Sequence, residues 1–322
     1  VSGERIMTLP HARLTSVTLL LTGLAGPLQA DSSIDGDAQI TVETENVISA
    51  AIGSRTRSEI AQGSVIDSDV DGDLQVDVGT ENVISAAIGS LSRSEVNVGA
   101  LKNADIGGDT RISVEAENIV SAGIGAGTLS RVNAGSVVDS DVGSEVDIKV
   151  KAENVISAAI GAGAASDVNL GSLTNADVGG EANIEVNTEN VVSAAIGAGA
   201  LSETDIGSVK NSRIGGDANI SVSTENVISA AIGAGVYSDV AVGSVKNSSV
   251  GGDATINVNT GNLASAAIGV GQYSKLHVGN VVNTSVGGSA NINVSTGDLA
   301  AYAIGAGPFS TRNEVNIGNV GN

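Results

Sequence analysis

Cysteine and tryptophan are absent from the 322-residue chain, and its only aromatic residues are three Tyr and one Phe. Without Cys the fold has no disulfide and no thiol nucleophile, and two His leave a His-ligated metal site short of ligands. The lack of rings argues against a globular enzyme core, because each ring buries a large apolar area that small side chains do not match. The 41% hydrophobic share comes from Ala, Val, Ile and Leu, which argues against disorder and predicts a thin aliphatic core.

Basic residues are also scarce. The chain has 15 Lys and Arg against 36 Asp and Glu, for a net charge of −21. This charge disfavours binding to phosphate backbones and to anionic membrane surfaces. We therefore expect no nucleic-acid partner.

The N-terminal 30 residues are typical of an export signal. The only Met is Met7, so residues 1–6 are interpreted as upstream read-through. Residues 7–30 contain a charged lead, the apolar stretch LTSVTLLLTGLAG and a small-residue cleavage site ending at Ala30. Because no later segment is suited to span a membrane as a helix, the pattern predicts a mature chain 31–322 that is secreted or lies at the cell surface, with no membrane span after cleavage.

One motif recurs at a fixed step of 36 residues through the rest of the chain. ENVISAAIG at Glu45–Gly53 returns at Glu81–Gly89, and close variants follow. One column holds Ile followed by Gly at Ile52, Ile88, Ile124, Ile160, Ile196, Ile232, Ile268 and Ile304. Another holds Ser at Ser58, Ser94, Ser130, Ser166, Ser202, Ser238, Ser274 and Ser310. The pattern predicts one repeat domain over residues 31–322.

The repeat predicts an all-β solenoid. Segments such as ANISVST alternate apolar and polar residues, and Gly pairs stand where the chain must reverse. Residues 190–207 align with residues 208–225, so each of the eight 36-residue repeats is expected to form two coils of about 18 residues. The Ile column is expected to be buried, and roughly 16 coils at ~4.8 Å would give a rod of about 75 Å.

A polar column leaves two interpretations open. It holds Asp67, Asn103, Asp139, Asn175, Asn211, Asn247, Asn283 and Asn322. These side chains form either an amide ladder at an inward or corner position, or a solvent-facing turn that tolerates Asn and Asp.

Repetition along a whole rod argues against a single catalytic site, so we expect no enzyme activity and no cofactor. His277 is interpreted as an outward polar residue of a strand. The Glu column that includes Glu117, Glu153 and Glu189 would have steps of two coils, or roughly 9 to 10 Å, and is interpreted as a solvated face. Asp109, Asp217 and Asp253 lie in GGD segments that only partly match calcium-binding repeats, so calcium is expected as a diffuse screening ion without a dedicated site.

Two outward columns provide alternative surfaces. Ice binding stays a minor alternative because the equivalents of Thr41 are mixed in type. Tyr237, Tyr273 and Phe309 fall in one column and are interpreted either as a lateral contact with glycan or another rod, or as drift at a permissive position.

Neither end of the repeat domain has a polar cap, so both ends are expected to offer unpaired strand edges. Residues 32–46 align with 248–262, and residues 314–322 align with 275–283, so the last turn stops where the first begins. End-to-end contact of this kind propagates a filament. The predicted interface consists of Ser32, Ile34, Ile40 and Val42 at one end, and Val315, Ile317, Val320 and Asn322 at the other.

A signal peptide followed by stacked, Gly-punctuated, Asn-bearing repeats with uncapped ends resembles the curlin-type subunits of bacterial functional amyloid. The resemblance implies a secreted β-solenoid that assembles with itself into extracellular fibres of a biofilm matrix or cell surface. It also implies secretion or nucleator proteins and matrix polysaccharide as partners. The alternative is a monomeric solenoid that acts as a surface adhesin or as an ice- or glycan-binding rod.

Overall fold

The protein is described by a computed structural model over residues 18–20, 32–55, 57–305 and 312–321. Its regular structure there is entirely β-strand, arranged in a 16-stranded and a 14-stranded sheet. No helix capable of crossing a membrane is found in this part of the chain. Successive turns pair in parallel at a step of 36 residues, as when Ile184 pairs with Ile220. The predicted all-β solenoid with eight 36-residue repeats is confirmed.

The division of each repeat into two 18-residue coils is wrong. Each repeat forms a single turn, because the parallel partners lie one whole repeat apart. The two halves also differ in structure: Ser193 is buried within a long strand, whereas the aligned Asn211 lies at an exposed corner with φ 51°. Eight turns at ~4.8 Å give a rod of about 38 Å, half the expected length.

Each turn contains a long strand, a middle strand and a short segment. The long strands are Ala38–Ile52, Leu74–Ile88, Thr110–Ile124, Val146–Ile160 and Ala182–Ile196. The middle strands are Arg57–Gln62, Arg93–Val98, Leu129–Ala134, Ala165–Leu170, Leu201–Ile206 and Arg312–Ile317. Long and middle strands are continuous in Ala218–Val242 and Ala254–Val278, whereas the last long strand is split into Ala290–Thr296 and Leu299–Gly305.

The short segments form the second sheet. They comprise Ser32–Ile34, Val65–Val70, Leu101–Ile106, Val137–Val138, Asp141–Val142, Leu173–Thr174, Asp177–Val178, Val209–Lys210, Arg213–Ile214, Val245–Lys246, Ser249–Val250, Val281–Val282, Ser285–Val286 and Val320–Gly321. One further strand, Thr18–Leu20, pairs antiparallel with Gln39–Thr41.

A bend divides every long strand. From Thr110 to Ala116 alternate residues are buried, but Glu117 and Asn118 then both point outward. The alternation resumes with the opposite phase, so Ile119 and Ser121 point inward. The bend is held by a ladder of amides, in which, for example, Asn154 Nδ2 donates to Asn118 Oδ1 at 3.0 Å.

The interior has a wide aliphatic part and a narrow arm. Val, Ile and Leu fill the wide part between the first half of the long strand and the short segment. The arm lies between residues 156–160 and 164–166 and their equivalents, where Ala159 and Ala164 pack together and Ser166 donates to Ser157 Oγ at 2.9 Å. Small side chains fill the arm because its two strands run close together.

The predicted burial of the Ile column is wrong. Ile160 and Ile196 are 42% and 40% exposed, because the change of phase at the bend turns this column outward. The inward positions of the same segment hold Val155, Ser157 and Ala159, all with no exposed surface.

The polar column beginning at Asp67 has features of both interpretations, the amide ladder and the solvent-facing turn. Its described members are exposed, and their φ angles lie between 48° and 51°. Asn and Asp tolerate this left-handed conformation better than most residues. The side chains also form a ladder, in which Asn103 donates to Asp67 at 2.7 Å and Asn175 to Asp139 at 2.8 Å. The column is therefore a solvent-facing corner with an amide ladder.

Candidate functional site

The C-terminal end of the described solenoid exposes its core. Val315, Ile317 and Val320 are 47%, 40% and 65% exposed, whereas their partners one turn earlier are buried. The difference arises because no further turn covers them within the described residues. Asn322, the last residue of the predicted interface, lies outside those residues.

The N-terminal end is open in the same way. Ile34, Ile40 and Val42 are only partly buried, while their partners one turn later, Val70, Val76 and Val78, are buried. The Ser32 backbone belongs to the strand that pairs with Ser68–Val70. Thr18–Leu20 covers part of this edge, and these three residues fall within the predicted signal peptide, most of which lies outside the described residues.

The two ends have matching phases around the turn. The parallel registers place Ser32 at the position of Ser68, and Gly321 at the position of Ile66. The last described strand, Val320–Gly321, therefore ends two positions around the turn before the position at which the first short segment, Ser32–Ile34, begins.

Backbone donors on the last strand point in two directions. Gly318 N donates to Val278 O of the preceding turn at 2.9 Å. Directions alternate along a parallel strand, so the N–H groups of Val315 and Ile317 point to the free edge, and that of Asn316 points back to the chain. Among the described strands none pairs with this edge, so the predicted interface combines apolar side chains with backbone donors that have no partner there.

Asp109, Asp217 and Asp253 join successive turns. Each accepts a hydrogen bond from a backbone N–H of the next turn, at 3.2 Å from Glu145, 2.7 Å from Asp253 and 2.7 Å from Ser289. Hydrogen bonds from Ser144 and from the Glu145 backbone lower the pKa of the Asp109 carboxyl. Within the ranges given above, no group of three or more acidic or His side chains is arranged to hold a metal ion.

The Glu column is denser than expected. Because each repeat is one turn, Glu117, Glu153 and Glu189 lie in adjacent turns, about 4.8 Å apart instead of 9 to 10 Å. They line an open depression on the outside of the rod together with Glu43, Glu45, Glu81 and Glu115. The arrangement concentrates negative charge at the bend.

Tyr237 and Tyr273 contact each other within the chain. Their ring centroids are 5.3 Å apart, and Lys275 Nζ lies 4.8 Å from the Tyr273 centroid. The Tyr237 hydroxyl donates to Asp239 and the Tyr273 hydroxyl to Glu314, at 2.8 and 2.9 Å. Both rings are half-buried, and Phe309 lies outside the described residues. Their use as a lateral contact stays a prediction.

The middle strands bury polar side chains in a polar groove that the sequence interpretation missed. This groove, between the middle strand and the short segment, is lined by Glu95, Asn97, Lys102, Asn133, Asn169, Asp205, Lys210, Asp239, Lys246, His277 and Asn280. The available signal was the recurrence of Asn at 97, 133 and 169 beside residues of both charges.

His277 belongs to this groove: it lies on the outer side of its strand, as predicted, but it is buried there instead of exposed. It is 6% exposed, and its burial lowers the pKa of the imidazole. Beside it, burial raises the pKa of Asp205 well above its usual value, with Asp239 adding repulsion. Lys210 Nζ lies 3.6 Å from Asp205 Oδ2. The partly open cavity beside these groups has a volume of only about 10 Å³, which is room for about one water.

A chain of hydroxyls runs through the arm. Ser166 Oγ lies 2.9 Å from Ser157 Oγ and 2.9 Å from Ser193 Oγ, and the same links repeat between turns. The chain comprises Ser49, Ser58, Ser85, Ser94, Ser121, Ser130, Ser157, Ser166, Ser193, Ser202, Ser229, Ser238, Ser265 and Ser274. These serines satisfy one another's hydrogen bonds and join the turns, so the recurring column is structural.

Comparison of the chain with protein-family models, with curated proteins and with solved structures finds no match.

Proposed function

We propose that the protein is a secreted structural subunit that stacks end to end into extracellular fibres of a biofilm matrix or cell surface. The observation that carries the proposal is the pair of open ends, which expose apolar core and have the same phase of the turn. No catalytic activity or cofactor belongs to this role. Secretion or nucleator proteins and matrix polysaccharide are its proposed partners beyond the chain itself.

The stacked geometry follows from the register within the chain. Continuing the 36-residue step places Ile40 of a second copy on Ile292 of the first, and Val42 on Val294. Exposed apolar surface at each end would then become core, and free N–H and C=O groups would enter a continuous ladder. Such a contact is heterologous and does not close, so it produces a filament.

The test compares two double variants of the mature chain 31–322. Val315→Pro with Ile317→Pro removes two donors at the free edge without removing a hydrogen bond within the chain. Val315→Ala with Ile317→Ala is the control, because it keeps both donors. We expect elongation from preformed seeds, followed by light scattering and electron microscopy, to fall at least tenfold in the Pro variant and less in the Ala variant.

Two results would overturn the proposal. One is elongation of the Pro variant at the rate of the unmodified chain. The other is uniform short particles of the unmodified chain at high concentration across pH and calcium, which would favour a monomeric adhesin or an ice- or glycan-binding rod.

A further inference from the structure

The outer side of the arm is a continuous apolar face. It consists of the outward residues at the positions of Ile156, Ala158 and Ile160 in all eight turns. These positions hold only Ile, Val, Ala and one Tyr, Tyr302. The surface is exposed although apolar: Ile228 is 45% exposed and Ile232 is 38% exposed.

The face has a regular shape. Columns of larger side chains at the positions of Ile156 and Ile160 form two ridges in most turns, and the Ala158 column forms a trough between them. Along the rod each column repeats at ~4.8 Å, and across the strand adjacent columns are about 6.7 Å apart. Tyr302, which is 52% exposed, stands in the trough in the eighth turn and limits an unobstructed contact to the first seven.

The area is sufficient for a specific interface. Across the strand the face spans the five residues 156–160 and their equivalents. Over seven turns this strip covers roughly 570 Å² on one copy and ~1,150 Å² on two, and a specific interface needs about 1,000 Å² in total. The patch also lies at the upper end of what a monomer usually exposes, about 300–600 Å².

Charge is excluded from the face and nearly excluded from its borders. One border is the Asn ladder at the bend, whose column holds Asp298 in the eighth turn. The other border is the turn of Gly and small residues near Gly161, where Arg55 is the one charged residue among the described turns. The acidic column of Glu153 lies around the bend. Two copies with a net charge of −21 each therefore meet least repulsion through this side.

We propose that two copies of the protein pair through this apolar face, with the same surface on both and a two-fold axis between them. A second copy fits better than an unrelated protein because it presents ridges at the same repeat over seven turns, so the side chains interdigitate along the whole contact. This lateral pairing uses a different surface from the open ends and does not depend on end-to-end stacking.

The test uses sedimentation velocity of the full mature chain carrying Val315→Pro and Ile317→Pro, so that growth from the ends does not obscure pairing. Ile160→Asp with Ile196→Asp places two charges on the apolar face in adjacent turns. Ser221→Asp with Asn257→Asp places the same charges in adjacent turns on another exposed column and is the control. Ile160→Thr with Ile196→Thr reduces the apolar area without adding charge.

We expect the parent and control chains to form dimers, the Asp variant to weaken dimerisation more than tenfold, and the Thr variant to weaken it less. All four should keep the same β-type circular dichroism, because the substituted side chains are exposed. A parent chain that stays monomeric at ~0.1 mM, or equal dimerisation of the face and control variants, would overturn the proposal.

A vesicle-binding experiment tests whether the apolar face contacts lipid instead of a second copy. If neutral phosphatidylcholine vesicles bind the monomeric parent chain but not the Asp variant, the face contacts lipid and the proposed second copy is wrong. Failure of lateral pairing leaves seeded elongation measurable, so it is distinguishable from failure of the proposed fibre function.

Discussion

At the residue scale, the polar groove holds two buried carboxyls whose pKa values move in opposite directions. Burial alone would raise the pKa of Glu95, but the hydrogen bond from Lys102 and the charges of Arg93 and Lys102 outweigh it and lower that pKa. The pKa of Asp205 is raised by burial and by the nearby carboxylates of Asp239 and Asp167. Ionised Glu95 therefore stabilises the fold, and ionised Asp205 destabilises it.

We expect Glu95→Gln to lower the free energy of unfolding at pH 7 by about 1–3 kcal/mol, because two cations lose their buried partner. Since the Glu95 pKa is lowered in the fold, this difference is present above the unfolded pKa and disappears as pH falls through the folded value. Urea unfolding at pH 7 and near pH 3 measures it. A difference that grows on acidification would contradict the assignment.

Asp205→Asn should instead raise the free energy of unfolding at pH 7, by about 1 kcal/mol or more. The Asp205 pKa is raised in the fold, so stability is lost as pH rises from the unfolded towards the folded value, and Asn removes that loss. In the two preceding turns the same column already holds Asn133 and Asn169, where Asn169 donates to Asn133 at 3.0 Å, and an amide at position 205 would extend this ladder. The same urea series checks this variant, and a stabilisation that persists at low pH would point to another cause.

Two glycines of the same turn allow the effect of crowding on stability to be distinguished from the effect of backbone strain. Gly243 and Gly235 have φ of 55° and 67°, so Ala is strained at both. A Cβ at position 243 would lie 2.3 Å from Val258 Cγ2, whereas at position 235 it would meet nothing within 4 Å. We expect Gly235→Ala to cost about 1 kcal/mol and Gly243→Ala about 3 kcal/mol or more. Thermal unfolding compares them, and equal losses would show that crowding is not the cause.

At the scale of the element, the unit that folds is the 36-residue turn. Deleting residues 182–217 joins Glu181 to Ala218, which occupies the position of Ala182, so every remaining register is preserved. Stability then changes little, because each turn contacts mainly its neighbours. Deleting residues 182–199 removes a long strand and shifts all later strands by half a turn. We expect only the 36-residue deletion to keep a sharp unfolding transition, and a folded 18-residue deletion would contradict the one-turn repeat.

The fold class could be predicted because its period is explicit in the sequence. Identical residues recur every 36 positions, and the Gly and Asn columns mark the corners that the structure contains. The number of coils per repeat could not be predicted in the same way. Residues 190–207 and 208–225 are partly alike in sequence, but they differ in structure: Ser193 is buried in a strand, whereas the aligned Asn211 forms an exposed corner.

The side that each residue faces was harder to predict. Simple alternation assumes an unbroken strand, but Glu117 and Asn118 both point outward and reverse the phase beyond them. That reversal exposes Ile160, and it explains why the apolar face was missed. The groove was missed because burial of the outer side of a middle strand depends on how the neighbouring short segment folds over it, and periodicity within the strand carries no information on that packing.

At the scale of the whole molecule, the charge of −21 opposes every contact between copies. Salt shortens the range of this repulsion to about 8 Å at 0.15 M, and lowering pH towards the isoelectric point near 4.2 reduces the charge itself. Calcium should act more strongly than sodium at equal ionic strength, because the Glu column places one carboxylate in each of several adjacent turns, whose strands are about 4.8 Å apart. Seeded elongation should therefore accelerate several-fold in calcium, and rates independent of salt and calcium would show that repulsion does not control growth.

The step of 36 residues between partners also governs how the rod responds to force. Hydrogen bonds between turns run along the rod axis, so tension between its two ends pulls on one interface at a time, from an end inward. Each turn that detaches releases 36 residues, or at most about 120–130 Å of extended chain. A rod of about 38 Å would then lengthen in steps several times its own folded length, and in a matrix it would dissipate mechanical work turn by turn.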